Sequence, residues 1–158
     1  MNFKNLIALL ICISVPLLTG GIAGFVTSSN IESWYAFLDK PVFNPPNWLF
    51  GPVWTALYIL MGISLFIVWK QPDTPKRKSA LRIFFVQLLL NFAWSFIFFY
   101  FHQTGTALLE IIVLWVAILM MIIAFYRVNK WAAYLQIAYL AWVTFASVLN
   151  ASIWYLNK

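Results

Sequence analysis

The apolar residues of the chain fall into five blocks, separated by one long and three short segments that hold most of the polar residues. Each block has about the 20 residues that an α-helix needs to cross the hydrocarbon core of a bilayer. The pattern therefore predicts transmembrane helices at about 5–27, 48–69, 81–101, 105–126 and 131–156. Because short connections make consecutive helices antiparallel neighbours, we expect one domain over residues 1–158, an all-α integral membrane protein built as a bundle of five transmembrane helices.

The composition agrees with this prediction, since 64% of the residues are hydrophobic and 9% are charged, whereas soluble domains are about a quarter charged. The first block, from Leu6 to Val26, is longer than the roughly 7–15 apolar residues of a signal peptide, and no A-x-A site follows it, so we expect it to be retained. One cysteine, Cys12, and one histidine, His102, provide neither an intrachain disulfide nor a multidentate metal site. We expect no obligatory cofactor.

The net charge of +6 comes from basic residues in the segments between apolar blocks, so we interpret it as a topology signal and expect no nucleic-acid partner. One side of the bundle would carry Lys4, Lys70, Lys76, Arg77, Lys78, Arg82, Arg127 and Lys130. The other side would carry only Lys40 and Lys158. For a plasma-membrane protein, the positive-inside rule then places the N-terminus and the basic loops in the cytoplasm, and the long first loop and the C-terminus outside.

The long first loop, predicted at 28–47, is rich in proline and aromatic residues. Pro41, Pro45 and Pro46 fix the backbone and exclude helix, which predicts a rigid lid over one end of the bundle. Alternatively, Trp34 and Tyr35 of the loop and Trp48 at the start of the second helix belong to the aromatic belt of the membrane interface.

Aromatic and polar residues recur at helical spacing in three of the predicted helices. Residues three, four and seven apart share one helix face, which groups Phe50, Trp54, Tyr58 and Met61, then Gln87, Asn91, Trp94, Ser95 and Phe98, and finally Trp142, Phe145, Ala146, Leu149 and Asn150. Polar side chains at membrane depth should face the bundle interior. The stripes are typical of a mostly apolar ligand pocket with a few polar groups, and equally of ordinary helix packing.

Three weaker signals remain. Gly20 and Gly24 form a G-x-x-x-G pattern, which we expect to serve packing within the chain. Glu110 lies near a helix end, so we expect its carboxylate to reach the interface, with a role in proton coupling as the alternative. His102 has two interpretations, a solvated loop residue or an axial ligand of haem iron.

Three motifs in order carry a family resemblance: WYAFLDKPVFNPPNWLFGPVWTALY from Trp34 to Tyr58, LNFAWS from Leu90 to Ser95, and YLAW from Tyr139 to Trp142 followed by Phe145-Ala146 and Leu149-Asn150. Over essentially its whole length the chain resembles the translocator protein family (TspO/MBR), also called tryptophan-rich sensory protein or peripheral benzodiazepine receptor. Relatives often have a proline where this chain has Ala138, which leaves a kink in the fifth helix open.

The resemblance implies a five-helix bundle, commonly a homodimer, that binds porphyrins, sterols and synthetic aromatic ligands in a cavity closed by the first loop. It implies that the cavity is lined by Tyr35, Pro45, Phe50, Trp54, Asn91, Trp94, Ser95, Ile111, Trp115, Trp142, Ala146 and Leu149. The expected function is a membrane receptor or sensor for porphyrins, such as protoporphyrin IX and haem-type tetrapyrroles, and similar flat hydrophobic ligands, including their transport. The alternatives are a small metabolite or drug transporter and a light-dependent porphyrin-degrading protein. No acid–base or nucleophilic set is visible for other catalysis.

Overall fold

The structure, a computed structural model, describes residues 2–158 and contains five helical spans long and apolar enough to cross a membrane. The helices are α1 (Phe3–Ile31), α2 (Asn47–Trp69), α3 (Pro75–Ser95), α4 (Thr104–Tyr126), α5 (Lys130–Tyr134) and α6 (Ile137–Leu156). A π-helical segment, Phe96–Tyr100, extends α3, and α5 and α6 together make the fifth span. The predicted all-α bundle of five transmembrane helices is confirmed.

Helix α1 ends four residues later than predicted, at Ile31. The polar run after Val26 was expected to leave the helix, but its side chains bond back to carbonyls of the preceding turn. The Thr27 hydroxyl donates to the Ala23 carbonyl at 2.9 Å, and the Asn30 amide donates to the Val26 carbonyl at 2.9 Å. These bonds let the helix carry its polar turn beyond the apolar block, and the loop shortens to 32–46.

Helix α3 begins six residues earlier than predicted, at Pro75. The predicted start at 81 left out the residues before it because they include prolines and charged side chains. Thr74 instead caps the helix, since its hydroxyl accepts the Arg77 backbone N–H at 3.2 Å, and Pro75 occupies the first helical position, where its missing N–H costs little.

The fifth span is broken between α5 and α6, although no proline lies in it and Ala138 stands before Tyr139. At the break the Gln136 N–H bonds to the Ala133 carbonyl at 3.0 Å instead of continuing the α-helical pattern. The Ala132 carbonyl that this leaves free accepts the Ser64 hydroxyl of α2 at 2.6 Å. A side chain of a neighbouring helix thus satisfies the interrupted backbone, which is a recognised cause of kinks.

The helices form a ring in which α1 packs on α2 and α3, α4 packs on α3 and α6, and α5 packs on α2 and α4. We call the end with the start of α1 and the α2–α3 connection the basic end, and the opposite end the lid end. Gly62 lets α1 and α2 touch toward the basic end, where a Cβ would overlap the backbone of Ile13. Helices α2 and α6 do not pack closely on each other, and the space between them at the lid end holds the candidate site.

Candidate ligand cavity

A cavity of about 510 Å³ occupies the lid-end half of the bundle, enclosed by α1, α2, α3 with its π-helical extension, α6 and the first loop. Its lining is mostly apolar and aromatic. The residues that line it are Leu17, Gly20, Gly21, Ala23, Gly24, Thr27, Ser28, Ile31, Tyr35, Asn47, Trp48, Phe50, Gly51, Trp54, Thr55, Tyr58, Trp94, Ser95, Phe98, Phe99, Trp142, Ala146, Leu149, Asn150 and Ile153. Within residues 2–158, no charged side chain lines the cavity.

Packed aromatic rings form two walls of the cavity. On α2, Trp54 stacks on Tyr58 with ring centroids 5.5 Å apart and an interplanar angle of 26°. On α6, Trp142 meets Phe50 of α2 edge to face at 6.2 Å. Because each ring is held by another ring, the walls offer preformed flat faces to a ligand.

A buried hydrogen-bond network supports the Tyr58 wall. The Tyr58 hydroxyl donates to Asn91 Oδ1 at 2.7 Å, and Asn91 Nδ2 donates to the Tyr139 hydroxyl at 3.1 Å. The Tyr139 hydroxyl donates in turn to Gln87 Oε1 at 3.0 Å. The network connects α2, α3 and α6, and it uses up the Asn91 amide, which we had expected to face a ligand.

A second set of bonds fixes the indole of Trp94. Its Nε1 donates to Asn150 Oδ1 at 3.1 Å, and Asn150 Nδ2 donates to the Thr104 carbonyl at 2.8 Å. The Trp94 ring also stacks on Phe98 at 5.3 Å. Trp94 therefore presents a fixed ring to the cavity while its N–H stays committed to the protein.

Four polar groups on the cavity wall, besides Trp142, have no hydrogen-bond partner among residues 2–158. These are the indole N–H groups of Trp48 and Trp54, the side-chain amide of Asn47 and the hydroxyl of Ser95. The indole N–H of Trp142 is also without a partner, but that nitrogen is buried. A few such groups among apolar walls are what orients a ligand in a pocket.

The first loop is folded over the lid end by contacts within itself. Residues Tyr35–Phe37 form a 3₁₀ turn, and the buried Tyr35 hydroxyl donates to Asn44 Oδ1 at 2.7 Å. Burial raises the pKa of Tyr35 to about 12, so this donor stays protonated at physiological pH. The Lys40 ammonium donates to the carbonyls of Tyr35, Ala36 and Leu38 at 2.7–3.1 Å.

The loop is also fastened to the bundle at two points. Asn157, after α6, accepts the Asp39 backbone N–H at 3.0 Å and donates to the Asp39 carbonyl at 2.9 Å. His102 stacks on Trp34 at 4.2 Å, and its Nε2 bonds to Asn30 Oδ1 at 3.1 Å. His102 therefore joins the loop to the α3–α4 connection, and it does not line the cavity.

The cavity opens sideways between the lid-end halves of α1 and α2. A Cβ added to Gly21, Gly24 or Gly51 would meet no atom within 4 Å, and all three exposed glycines line the cavity. Gly20, by contrast, packs within the chain as expected, because a Cβ there would overlap the Tyr58 ring. The two glycines of the G-x-x-x-G pattern thus differ, and Gly24 borders the opening toward the bilayer.

The structure brings together most of the residues expected at the site. Those that line the cavity are Tyr35, Phe50, Trp54, Trp94, Ser95, Trp142, Ala146 and Leu149. Pro45, Asn91, Ile111 and Trp115 do not line it. Asn91 lies behind Tyr58 in the buried network, and Pro45 precedes the first turn of α2, whose residues form the wall in its place.

Ile111 and Trp115 are excluded because α4 contributes no residue to the cavity. Helix α4 packs on α3 and α6, and Ile111 is buried in the core. The Trp115 indole N–H donates to the hydroxyl of exposed Thr144 at 2.8 Å. Both residues were expected from the family resemblance alone, and none of the three stripes at helical spacing lies on this helix.

Sequence reasoning missed the wall formed by α1. This helix contributes Leu17, Ala23 and Thr27 besides its glycines. The glycines were the available signal, but they were interpreted as packing sites. Tyr58 and Phe98 belonged to the predicted stripes and do line the cavity, although they were not included among the expected site residues.

The expectation for Glu110 was wrong. Both carboxylate oxygens are buried, and neither has a hydrogen-bond partner among residues 2–158. The side chain therefore does not reach the interface, because it points into the bundle from the second turn of α4. It does not line the cavity either.

Residues 2–158 contain no group of three or more histidine, cysteine, aspartate or glutamate side chains that could hold a metal ion. What the cavity offers is aromatic surface, an opening toward the bilayer, and a few uncommitted polar groups. These features suit a flat apolar ligand.

Comparison with known proteins matches residues 12–156 to the model of the TspO/MBR family. The chain belongs to this family. It is 42% identical to the tryptophan-rich protein TspO of Archaeoglobus fulgidus over 160 residues, which cover 99% of each chain. It is 42% identical to the human translocator protein over 123 residues, 77% of this chain and 73% of the human one.

A third relative is the tryptophan-rich sensory protein of Cereibacter sphaeroides, which is 35% identical over 126 residues, 80% of this chain and 78% of that protein. Family membership and the five apolar helical spans together make this TspO/MBR protein a multi-pass integral membrane protein. The resemblance stated from its motifs is confirmed.

Proposed function

We propose that this protein is a membrane receptor or sensor that binds porphyrins, such as protoporphyrin IX, and similar flat hydrophobic ligands in the cavity beneath the first loop. The observation that carries the proposal is a cavity of about 510 Å³ whose walls include the indoles of Trp54, Trp94 and Trp142 and no charged side chain among residues 2–158. Ligand sites typically measure about 300–1,000 Å³ and have apolar, aromatic walls.

The polar groups suggest how such a ligand would lie. Protoporphyrin carries two carboxylates, which an uncharged apolar cavity does not stabilise. Thr27 and Ser28 on α1 and Asn47 and Thr55 on α2 border the cavity, and all but Thr27 are exposed. We expect the macrocycle to stack inside and its carboxylates to point toward this polar rim.

The opening between α1 and α2 fits a ligand that is dissolved in the membrane. An apolar ligand can pass sideways into the cavity without crossing water. The names of two relatives, tryptophan-rich sensory protein and translocator protein, are consistent with a protein that detects or moves its ligand. We place this protein in the bacterial cell membrane and propose that it forms a homodimer, which detergent-corrected light scattering and crosslinking in membranes would test.

The test is a titration of purified protein with protoporphyrin IX, followed by the shift of the Soret band, which does not depend on the number of tryptophans in a variant. Trp54→Ala and Trp142→Ala should each weaken binding about thirtyfold, since loss of an aromatic anchor typically costs about 2 kcal/mol. Trp54→Phe should lose less because it keeps a stacking face.

Trp131→Ala is the matched control, because Trp131 lies on α5, is 71% exposed and does not line the cavity. It should leave the affinity unchanged. A wild-type protein that produces no saturable Soret shift would overturn the proposal. An equal loss in all three alanine variants would show that the effect comes from the bundle and not from the cavity.

A light-dependent reaction of the bound porphyrin is a second candidate, favoured by the four indoles on the cavity wall. An excited porphyrin there would lie against oxidisable side chains. Illumination of the complex should then bleach the Soret band faster than illumination of the porphyrin in empty micelles. Equal rates would eliminate this candidate without affecting the binding proposal.

A further inference from the structure

A second groove lies outside the ligand cavity, at the basic end, where α1 and α3 begin and α2 ends. Its volume is about 490 Å³, and its surface is almost wholly apolar. It is lined by Ile11, Val15, Leu65, Trp69, Leu81 and Phe85, with Lys4, Ile7, Ala8 and Cys12 along α1. Several of its side chains are open to the surroundings, including Ile11 at 58% and Phe85 at 50% exposure, so the groove faces the bilayer.

Positive charge is concentrated where this groove meets the membrane surface. Lys4 lines the groove itself and is exposed. Arg77 lies against its wall, since its Nε donates to the Trp69 carbonyl at 3.0 Å. Within residues 2–158, Asp73 is the only acidic residue in an ion pair, and its partners are Arg77 and Lys78. Lys4 therefore has no acidic partner.

We propose that this groove binds an anionic phospholipid, with one acyl chain lying between α1 and α3 and the phosphate of the headgroup held at Lys4. An apolar channel that ends at the unpaired Lys4 ammonium matches the two parts of such a lipid. Basic sites between transmembrane helices bind anionic headgroups in this manner. The site is separate from the ligand cavity, with which it shares no lining residue.

The selectivity must come from the headgroup. An acyl chain gains little hydrophobic energy when it leaves other lipid tails for an apolar groove, because both surroundings are apolar. The shape of the groove holds the chain in one place, and the charge at Lys4 decides which headgroup is preferred. Removal of Lys4 should therefore reduce the preference for anionic lipid without abolishing occupancy.

Native mass spectrometry tests this proposal. The protein is taken from vesicles that contain equal amounts of phosphatidylglycerol and phosphatidylcholine. The wild-type protein should retain phosphatidylglycerol preferentially. Lys4→Gln should lower that preference about fivefold, which corresponds to about 1 kcal/mol for one basic residue at the membrane surface. Ala8→Phe, which fills the groove, should lose the retained lipid.

Two controls match these variants. Lys130→Gln removes a basic residue of the same end that does not line the groove, and Ala138→Phe adds the same bulk at an exposed position of α6. Both should behave as wild type. Equal retention of the two lipids by the wild-type protein, loss of preference in Lys130→Gln, or retained lipid in a folded Ala8→Phe protein would each overturn the proposal.

The comparison of Lys4→Gln with Lys130→Gln decides the proposal even if Ala8→Phe fails to fold, because neither glutamine substitution changes the apolar groove.

Discussion

Asn91 is the residue on which the buried network beneath the cavity depends, because its side-chain amide joins α3 to Tyr58 of α2 and to Tyr139 of α6. Asn91→Leu keeps a similar volume but removes both bonds. The Tyr58 hydroxyl then has no acceptor in a region where water is scarce, whereas Tyr139 can still donate to Gln87. We expect most of the lost stability to come from the unpaired Tyr58 hydroxyl.

The size of the stability loss can be worked out from this one unpaired hydroxyl. A buried donor without a partner costs about 1–3 kcal/mol, and single interhelical bonds in membrane proteins average about 0.6 kcal/mol and reach about 1.7 kcal/mol. We therefore expect Asn91→Leu to lower the free energy of unfolding by about 1–2 kcal/mol. Tyr58→Phe should cost about 1 kcal/mol, because it leaves the Asn91 oxygen without a donor.

The double variant separates this bond from general packing. Removal of both partners leaves neither group orphaned, so Asn91→Leu with Tyr58→Phe should cost about 1 kcal/mol less than the sum of the two single variants. Unfolding by SDS in mixed micelles, followed by tryptophan fluorescence, measures all three. Costs that simply add would refute the reasoning, since the Tyr58–Asn91 bond would then contribute nothing.

Other parts of the structure lead to three further predictions. Glu110→Leu should raise the unfolding temperature, because it removes a buried carboxyl group that has no partner and keeps the volume similar; a fall in that temperature would mean that Glu110 has a stabilising partner. Asn157→Ala should speed amide hydrogen exchange in the loop 32–46, because it removes both bonds to the Asp39 backbone; unchanged exchange would show that the loop is held elsewhere. In a chain without Cys12, an impermeant thiol reagent added to intact cells should label Val42→Cys but not Lys76→Cys, and the reverse would invert the expected topology.

Sequence patterns predicted the number and type of the helices because the bilayer imposes one length and one composition on each of them. The ends of helices were harder to predict because they depend on local bonds. The start of α3 at Pro75 rests on the Thr74 cap. The break before α6 rests on the Ser64 hydroxyl of another helix, which no local pattern of the fifth span contains.

Some residues of the cavity could likewise be predicted from the sequence, and others could not. Residues on the inward faces of α2 and α6, such as Trp54 and Trp142, were predictable because aromatic side chains at helical spacing mark those faces. Ile111 and Trp115 were expected from the family resemblance alone, and they do not line the cavity, because α4 lies outside it in the ring of helices. The wall of α1 was missed because Gly24 has no side chain by which to recognise it.

A structure of the protein with protoporphyrin IX bound in a bilayer mimic would test the central claim most directly. We predict one macrocycle in the cavity, in contact with Trp54 and Trp142 beneath Tyr35, with its carboxylates toward the rim at Asn47. A porphyrin on the outer face of the bundle, with the cavity unoccupied, would contradict the account.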